Sequence, residues 1–175
     1  MKITDPDFFC IPAPELARKL LGKILCRALD DGKVIRGRIT ETEAYGGFSQ
    51  PDTACHAHKG ITKRNAPMFE RGGTIYVYLC YGIHEMLNIT SGTVGDGQAV
   101  LIRAIQGIIG PGRVTKTLLI NRCLSGKDIM NCNELWIEDD DFVVDNTRIE
   151  RLARIGISYA SETDQARLER YRLNI

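Results

Sequence analysis

Two carboxylates close together on a strand-like segment are the first residues in this sequence that could do chemistry. Glu41 and Glu43 alternate with threonines, so a strand would turn both acids to one face, which also carries isoleucines. A carboxylate in a partly apolar pocket can act as a general base on water, and two on one face can form an acid–base pair. The alternative, which stays open at this point, is that both acids form surface ion pairs with Arg36, Arg38 or Arg103.

Four tyrosines give the same part of the chain a second chemical character. Tyr45, Tyr76 and Tyr78 lie on strand-like segments, where tyrosines commonly fill the core or pair across strands. Tyr81 differs because Gly82 follows it where the strand pattern breaks, and an aromatic residue at a turn can project into solvent. A nucleobase stacked on such a ring gains roughly 1–3 kcal/mol. With the two acids, these rings favour a pocket for a flat polar ligand.

A histidine-containing segment raises the question of a metal site. Cys55, His56 and His58 are close in sequence, but His84 is the only other histidine, and no second cluster has the spacing of metal ligands. We therefore expect His56 to be structural or paired with a tyrosine, and we expect no metal there. The six cysteines are scattered without a C-x-x-C pair, which predicts reduced thiols that are mostly buried.

Apolar periodicity and turn signals predict the elements that must position these residues. Pro14 and Gly22 bracket a short amphipathic helix, and an Asp-Asp-Gly turn at residues 30–32 joins two strands. The predicted strands are 23–29, 33–45, 74–80, 84–90, 98–105, 134–138, 142–144 and 149–158, and a helix is predicted from 110 to about 120. The face of the second strand that carries the two acids is predicted to consist of Ile35, Ile39, Glu41, Glu43 and Tyr45.

The remaining segments are predicted to be loops and one last helix. Residues 46–73 form a long loop with a short helix near His56, and loops of this length are usually functional or disordered. Ser161 with Asp164 has the pattern of a capping box that starts a short helix. The balance of elements predicts an α+β fold: a compact single domain over residues 1–175, with a curved, mainly antiparallel sheet and surrounding short helices.

Composition and charge narrow the class of protein. The 175 residues carry a net charge of +1, with 43% hydrophobic and 26% charged residues, which is typical of a globular domain. No apolar run approaches the roughly 20 residues of a membrane crossing, and residues 1–7 lack a signal-peptide pattern, so we expect an intracellular protein. Residues 101–122 contain four basic and no acidic residues, whereas residues 134–145 contain six acidic and no basic residues. These runs fit either a surface with one basic face or, as composition alone favours, two solvated loops with compensating charge.

Five segments of the chain carry a specific resemblance to a known family. They are residues 38–45 (RITETEAY), 64–69 (RNAPMF), 73–82 (GTIYVYLCYG), 87–89 (LNI) and 100–104 (VLIRA), and residues 110–113 and 151–157 extend the match. In this order they resemble the alkyladenine (3-methyladenine) DNA glycosylase family over nearly the whole chain. The resemblance implies a monofunctional enzyme of base excision repair that flips alkylated or deaminated purines out of double-stranded DNA and hydrolyses their N-glycosidic bond. It also implies an enzyme without metal or other cofactor, which we expect to act as a monomer.

The resemblance further implies a role for individual residues. The general base falls on Glu43, with Arg103 beside it to help position the water. The side chain wedged into the duplex falls on Tyr81. The residues that bind the flipped base, by stacking or by screening its minor-groove edge, fall on Tyr45, His56, Tyr78 and Asn88.

Two other classes of function stay open. One is a lesion-binding protein without chemistry, but such a reader of cationic bases would not need the water-activating acid Glu43. The other is a metal-dependent hydrolase built on His56, His58 and His84. The chain also departs from the family pattern, because the spacing between Tyr45 and His56 is longer and the sequence after residue 160 diverges. These departures bear on substrate range more than on reaction type.

Overall fold

The alternating apolar segments of the chain pair into one antiparallel sheet of nine strands. The computed structural model describes residues 1–175. The strands are β1 (Ile24–Ala28), β2 (Val34–Tyr45), β3 (Ile75–Cys80), β4 (His84–Ser91), β5 (Gln98–Ile105), β6 (Ile108–Ile109), β7 (Leu135–Glu138), β8 (Ile149–Leu152) and β9 (Arg170–Leu173). The α-helices are α1 (Ala13–Leu20), α2 (Pro111–Thr117) and α3 (Glu162–Ala166), and short 3₁₀ turns lie at Pro6–Phe8, His56–Lys59, Ala66–Phe69, Arg122–Leu124 and Asn146–Arg148. The predicted α+β class with a mainly antiparallel sheet is confirmed. None of the helices combines the length and the hydropathy that crossing a membrane requires.

The long strand β2 lies near the middle of this sheet. β5 pairs with its second half, from Ile39 to Tyr45. On the opposite edge of β2, β1 pairs with residues 34–38 and β9 pairs with residues 41–43. β3 and β4 continue the sheet beyond β5, and β7 continues it beyond β1. The end of β2 is therefore flanked by strands from the middle and from the end of the chain.

The main core forms where α1 and α2 cover the sheet. It is a cluster of 27 buried residues that includes Leu16 and Leu20 of α1 and Val114 of α2. Leu16 and Leu20 are four residues apart, so they lie on one side of the helix, and each stabilises the fold by about 1.5–3 kcal/mol on leaving water. As predicted, α1 ends just before Gly22, whose φ of +81° is a conformation that glycine adopts without strain.

A β-bulge in β2 corrects the prediction that Ile35 and Ile39 share a face with Glu43. The pairing with β5 shifts register between Ile39 and Thr42, so that the alternation of side chains reverses within the strand. Ile39 is fully buried in the main core, and Ile35 packs against it. Beyond the bulge Ala44 faces that core, and Glu43 lies on the opposite face. One strand thus supplies apolar residues to the core in its first half and a carboxylate to the other face in its second half.

Three predicted boundaries were wrong for local physical reasons. Residues 142–144 form no strand, because the preceding acids bind Lys23, just before β1, and Arg38 of β2, and because Asp141 takes a φ of +61°. α2 ends at Thr117 rather than near residue 120, because Leu119 adopts a φ of +50°. β8 ends at Leu152, two residues before Arg154 turns into the interior.

The pairing strand β9 was not predicted at all. The predicted short helix near His56 is present as the 3₁₀ turn His56–Lys59, and Ser161 caps α3 as predicted.

Candidate active site

A cavity of about 220 Å³ opens on the face of the sheet that carries Glu43. Its wall comes from the ends of β2 to β5, from the 3₁₀ turns at His56 and Met68, and from residues 155–159. Typical pockets for drug-sized ligands measure about 300–1,000 Å³, so this cavity suits one small planar ring system. The lining residues are mostly aromatic or apolar, and they include Tyr45, His56, Tyr76, Tyr78, Tyr81, Asn88, Arg103, Ile155 and Tyr159.

Glu43 lies directly behind this wall, with no exposed surface of its own. Its Oε2 accepts a hydrogen bond of 2.8 Å from the Tyr45 hydroxyl and lies 3.4 Å from Nη1 of Arg103. Its Oε1 accepts a hydrogen bond of 2.8 Å from the backbone N–H of Ile155. Burial raises the pKa of Glu43, while Arg103, the Ile155 N–H and the Tyr45 hydroxyl oppose that rise. A carboxylate with a raised pKa and fixed orientation is suited to accept a proton.

Arg103 joins Glu43 to the second acid. Its Nε lies 3.1 Å from Oε1 of Glu41, and Arg170 of β9 reaches the same oxygen at 3.1 Å. Glu41 is therefore held between two guanidinium groups, one of which is the expected partner Arg103, but this pair is buried and does not lie at the surface. The expected partner Arg36 instead binds Glu138, the last residue of β7, and Arg38 binds Asp140, which follows that strand.

The aromatic wall of the cavity is electrically neutral. Nδ1 of His56 lies 3.0 Å from the Tyr76 hydroxyl, and the His56 ring meets the Tyr78 ring edge-on at 4.5 Å. Burial lowers the pKa of His56, and the nearby Arg64 lowers it further, so the imidazole is uncharged at neutral pH. Burial raises the pKa of Tyr76 to about 12, so its hydroxyl keeps its proton. Such neutral π faces attract flat cationic rings.

Asn88 closes one side of the cavity from strand β4. It is 4% exposed, and its amide nitrogen donates to the carbonyl oxygens of Tyr76 and Met86, both at 3.3 Å. These two bonds hold the carboxamide in one orientation. A ligand edge that meets Asn88 therefore meets a rigid polar surface.

Tyr81 stands at the tip of the β3–β4 hairpin, at the mouth of the cavity. The Ile83 N–H donates to the Cys80 carbonyl, and the two central residues, Tyr81 and Gly82, have φ values of +50° and +72°. These features define a type I′ turn, whose twist matches that of the strands but which disfavours a bulky residue at its first central position. The side chain of Tyr81 is 87% exposed. A strained, exposed aromatic residue at a turn is a mark of function.

The acidic run at residues 134–145 and the basic run at residues 101–122 differ in how far their charges are paired. Four acids of the 134–145 run are compensated by nearby cations, as composition favoured; the pairs are Lys127–Glu134, Arg36–Glu138, Lys23–Asp139 and Arg38–Asp140. In the basic run, Arg113 and Lys116 of α2 are exposed and form no ion pair. Pro111, at the start of the same helix, lines the cavity. A cationic helix surface therefore lies beside the cavity mouth.

The chain is similar to one protein family and to several proteins of known sequence. The family model described as methylpurine-DNA glycosylase matches residues 7–109 and 106–174. A protein of Psychrobacter cryohalolentis is 40% identical over 93% of this chain and 88% of its own length, and one of Chlorobium phaeobacteroides is 39% identical over 99% and 95%. One from Methanocella arvoryzae is 40% identical over 93% and 88%. All three bear the name "Putative 3-methyladenine DNA glycosylase".

The chain belongs to the methylpurine-DNA glycosylase family. It is therefore a DNA glycosylase, a hydrolase that acts in DNA repair, and its substrate is DNA. The family resemblance expected from the motifs is confirmed.

The structure separates the histidines on which a metal site would depend. His56 lines the cavity, whereas His58 and His84 are exposed at other places. No group of three histidine, cysteine or acidic side chains lies close enough together to hold a metal ion.

Several residues of the site were missed by sequence reasoning. Ile155 and Tyr159 line the cavity, although no sequence pattern pointed to them. The expected pairing of His56 with a tyrosine is confirmed, and the partner is Tyr76. Asp52 and Arg154 form a fully buried ion pair just behind Tyr45. A pair separated by 102 residues leaves no local pattern, and the only available signal was that Arg154 lies in a motif of the family resemblance.

The strain at Tyr81 leads to a first prediction. Tyr81→Gly should raise the free energy of unfolding by up to about 1 kcal/mol, because glycine adopts a positive φ without steric cost. Denaturant unfolding of the free protein measures this change, and Ile83→Gly, at an exposed position beside the turn, is the control. A loss of stability in Tyr81→Gly would show that the ring makes stabilising contacts within the protein.

Proposed function

We propose that this glycosylase flips a damaged purine out of double-stranded DNA into the cavity and hydrolyses its N-glycosidic bond with water activated by Glu43. The observation that carries the proposal is a fully buried carboxylate with a raised pKa directly behind a neutral aromatic cavity. A purine within the duplex hides its glycosidic bond, so the nucleotide must leave the stack first. The substrates are alkylated or deaminated purines, and residues 1–175 act as one domain and as a monomer.

The chemical step is a displacement at the sugar carbon. The water oxygen bonds to C1′, the C1′–N9 bond breaks, and the purine leaves with that electron pair. Glu43 accepts the proton of the water, and its negative charge stabilises the oxocarbenium-like state before the transfer. Alkylation at N3 or N7 makes the purine cationic, so it leaves as a neutral base. No lysine lines the cavity, so no amine is placed to form a Schiff base with the sugar, and the DNA strand stays intact.

Arg103 has two tasks in this proposal. Its contacts with Glu41 and Glu43 fix the guanidinium at the cavity wall, where it helps to orient the attacking water. Its positive charge opposes the rise in the pKa of Glu43 that burial causes. Glu43 therefore remains able to ionise in an otherwise apolar site.

The other site residues select and hold the base. Tyr45, His56 and Tyr78 offer neutral aromatic surfaces to a flipped purine, which favours cationic rings. Asn88 presents a rigid carboxamide to the minor-groove edge of the purine, where guanine carries an amino group. Tyr81 projects from the hairpin tip and fills the space that the flipped nucleotide leaves. Arg113 and Lys116 are placed to contact phosphates beside the cavity.

The general-base role is tested by Glu43→Gln, which keeps the shape of the side chain and removes the carboxylate that accepts the proton. We expect single-turnover release of 3-methyladenine to fall by roughly 10²–10⁴-fold while binding to damaged DNA survives. Glu138→Gln, a carboxylate on β7 far from the cavity wall, is the matched control. Near wild-type release by Glu43→Gln would mean that Glu43 is misassigned, and Glu41 would be the next candidate.

The hydrogen bond from Tyr45 to Glu43 should affect how the rate of base release depends on pH. Activity requires ionised Glu43, so it falls as the pH drops through the raised pKa of that carboxyl group. Tyr45→Phe removes a donor that lowers this pKa, so the acid limb of the rate profile should move to higher pH. Release of 7-methylguanine measures the limb, because this base is already cationic and needs no proton to leave.

Tyr159→Phe provides the control for that shift. It removes a hydroxyl from the same cavity, but its donor bond runs to the Ala54 carbonyl and not to Glu43. Its acid limb should stay in place. Identical limbs for Tyr45→Phe and the wild-type enzyme would separate the Tyr45 hydroxyl from the titration of Glu43.

Selection against guanine is tested at Asn88. Asn88→Ala removes the carboxamide that crowds the exocyclic amine, so excision of guanine-type bases should rise relative to adenine-derived bases by roughly tenfold or more. Competing duplexes that contain 7-methylguanine or 3-methyladenine give this ratio directly. An unchanged ratio would show that the pocket does not select through Asn88.

The wedge role is tested by comparing paired and unpaired DNA. Unpairing and unstacking cost a few kcal/mol, so Tyr81→Ala should lower base release about tenfold or more in a well-paired duplex and much less in single-stranded or bulged DNA. Tyr78→Ala, which alters the cavity wall itself, should reduce release from both substrates alike. An equal loss for Tyr81→Ala on both substrates would place Tyr81 among the residues that hold the base.

A further inference from the structure

Behind the cavity wall lies a buried ion pair to which the reaction assigns no role. Arg154 Nη1 and Nη2 donate to the two carboxylate oxygens of Asp52 at 2.5 and 2.9 Å, and the side chains are 0% and 1% exposed. Replacing such a pair by apolar residues is often neutral or stabilising. Stability alone is therefore a weak reason for this pair to exist.

The pair contacts β2, the strand that carries Glu43, the proposed general base. Arg154 Nη1 also donates to the Ala44 carbonyl at 3.0 Å, between Glu43 and Tyr45 in the sequence. Its guanidinium carbon lies 4.9 Å from the centre of the Tyr45 ring. The residue that follows Arg154 in the chain is Ile155, whose N–H bonds to Glu43. One guanidinium group thus holds the backbone on both sides of the Glu43 carboxylate.

Asp52 connects Arg154 to the loop that follows β2. Its Oδ2 accepts from the Gly46 N–H at 3.0 Å, and its Oδ1 accepts from the Ala54 N–H at 3.0 Å. Arg154 Nη2 reaches the carbonyl of Asp164 in α3 at 3.2 Å. The pair therefore joins the end of β2, the loop to His56 and the last helix, each of which supplies or supports the cavity wall.

We propose that Asp52 and Arg154 are positioning residues that set the distance of the Ile155 N–H and the Tyr45 ring from the Glu43 carboxylate. This inference rests on the proposed function, in which Glu43 activates water. A reacting group displaced by about 1 Å can cost a reaction on the order of 10²-fold. The pair acts on the chemical step through Glu43 and Tyr45 and does not touch the flipped purine.

The pH profile distinguishes positioning from support of the fold. The polar and charged groups that face Glu43 are Tyr45 on its own strand, Arg103 on β5, Arg154 and the Ile155 N–H after β8, and, at longer range, Tyr78 on β3. The Ile155 N–H and Arg154 both lower the pKa of Glu43. Variants that loosen this segment should therefore move the acid limb of base release to higher pH.

The experiment uses two variants of graded severity in the full chain. Arg154→Lys keeps the charge but loses the two-pronged contact, and the double variant Arg154→Met with Asp52→Asn leaves no unpaired buried charge. For both we expect single-turnover release of 7-methylguanine, per folded molecule, to fall roughly 10–100-fold with the acid limb shifted upward. Binding to damaged DNA should change less than about threefold, and Arg154→Lys should be the less impaired of the two.

A matched control exists elsewhere in the chain. Arg38 also binds an aspartate through two contacts, Asp140 at 3.0 and 2.6 Å, and its guanidinium carbon lies 4.2 Å from the Phe142 ring. This pair touches neither the cavity nor Glu43. Arg38→Lys and the double variant Arg38→Met with Asp140→Asn should keep both the wild-type rate per folded molecule and the wild-type acid limb.

The outcomes separate this inference from the function on which it rests. Activity retained by Glu43→Gln in the same assay would overturn the proposed function. An inactive Glu43→Gln together with wild-type rate and limb in the Arg154 variants would overturn only the positioning role. If neither Arg154 variant yields folded protein by circular dichroism, the pair supports the fold as a whole, and the positioning role is also overturned.

Discussion

The rest of the structure depends on holding the Glu43 carboxylate, which has no exposed surface, so that it can still ionise. A buried charge that loses its partner costs about 3–5 kcal/mol, so Glu43 needs donors that arrive from several directions. They come from Tyr45 on the same strand, from Arg103 on β5 and from the backbone at Ile155. This need explains why β2 lies between β5 and the returning C-terminal strands: a strand at the edge of the sheet could not collect donors from both sides.

The β-bulge in β2 makes this arrangement compatible with a packed core. Without it, strict alternation would put Ile39 and Glu43 on the same face, and either the isoleucine would face the cavity or the acid would face the helices. With the bulge, Ile39 packs in the main core and Glu43 faces the cavity only four residues later. The twelve-residue strand therefore supplies Ile39 to the core in its first half and a buried carboxylate to the opposite face in its second.

Local sequence patterns predicted the parts of the site that local physics determines. The β3–β4 hairpin, the turn at Tyr81 and Gly82, the helix before Gly22 and the Glu43–Tyr45 segment follow from alternation and turn residues. The bulge, the strand β9 and the Asp52–Arg154 pair were not predicted, because each depends on partners more than sixty residues away. The misplaced strand at residues 142–144 shows the same limit, since ion pairs of the preceding acids with the distant Lys23 and Arg38 override a β-favouring Phe-Val-Val run. The family resemblance supplied the residue roles that these patterns could not.

The exposed turn at the hairpin tip has a consequence for how this protein can diverge. The Tyr81 side chain is almost entirely in solvent, and Gly82 already supplies the second positive φ that the turn requires. Folding therefore sets almost no requirement on the identity of residue 81 beyond a mild bias against bulk. In the proposed function, contact with DNA is what favours an aromatic ring there. Residue 81 can therefore change without altering the fold, whereas a change in the buried network around Glu43 leaves its hydrogen-bonding partners unpaired.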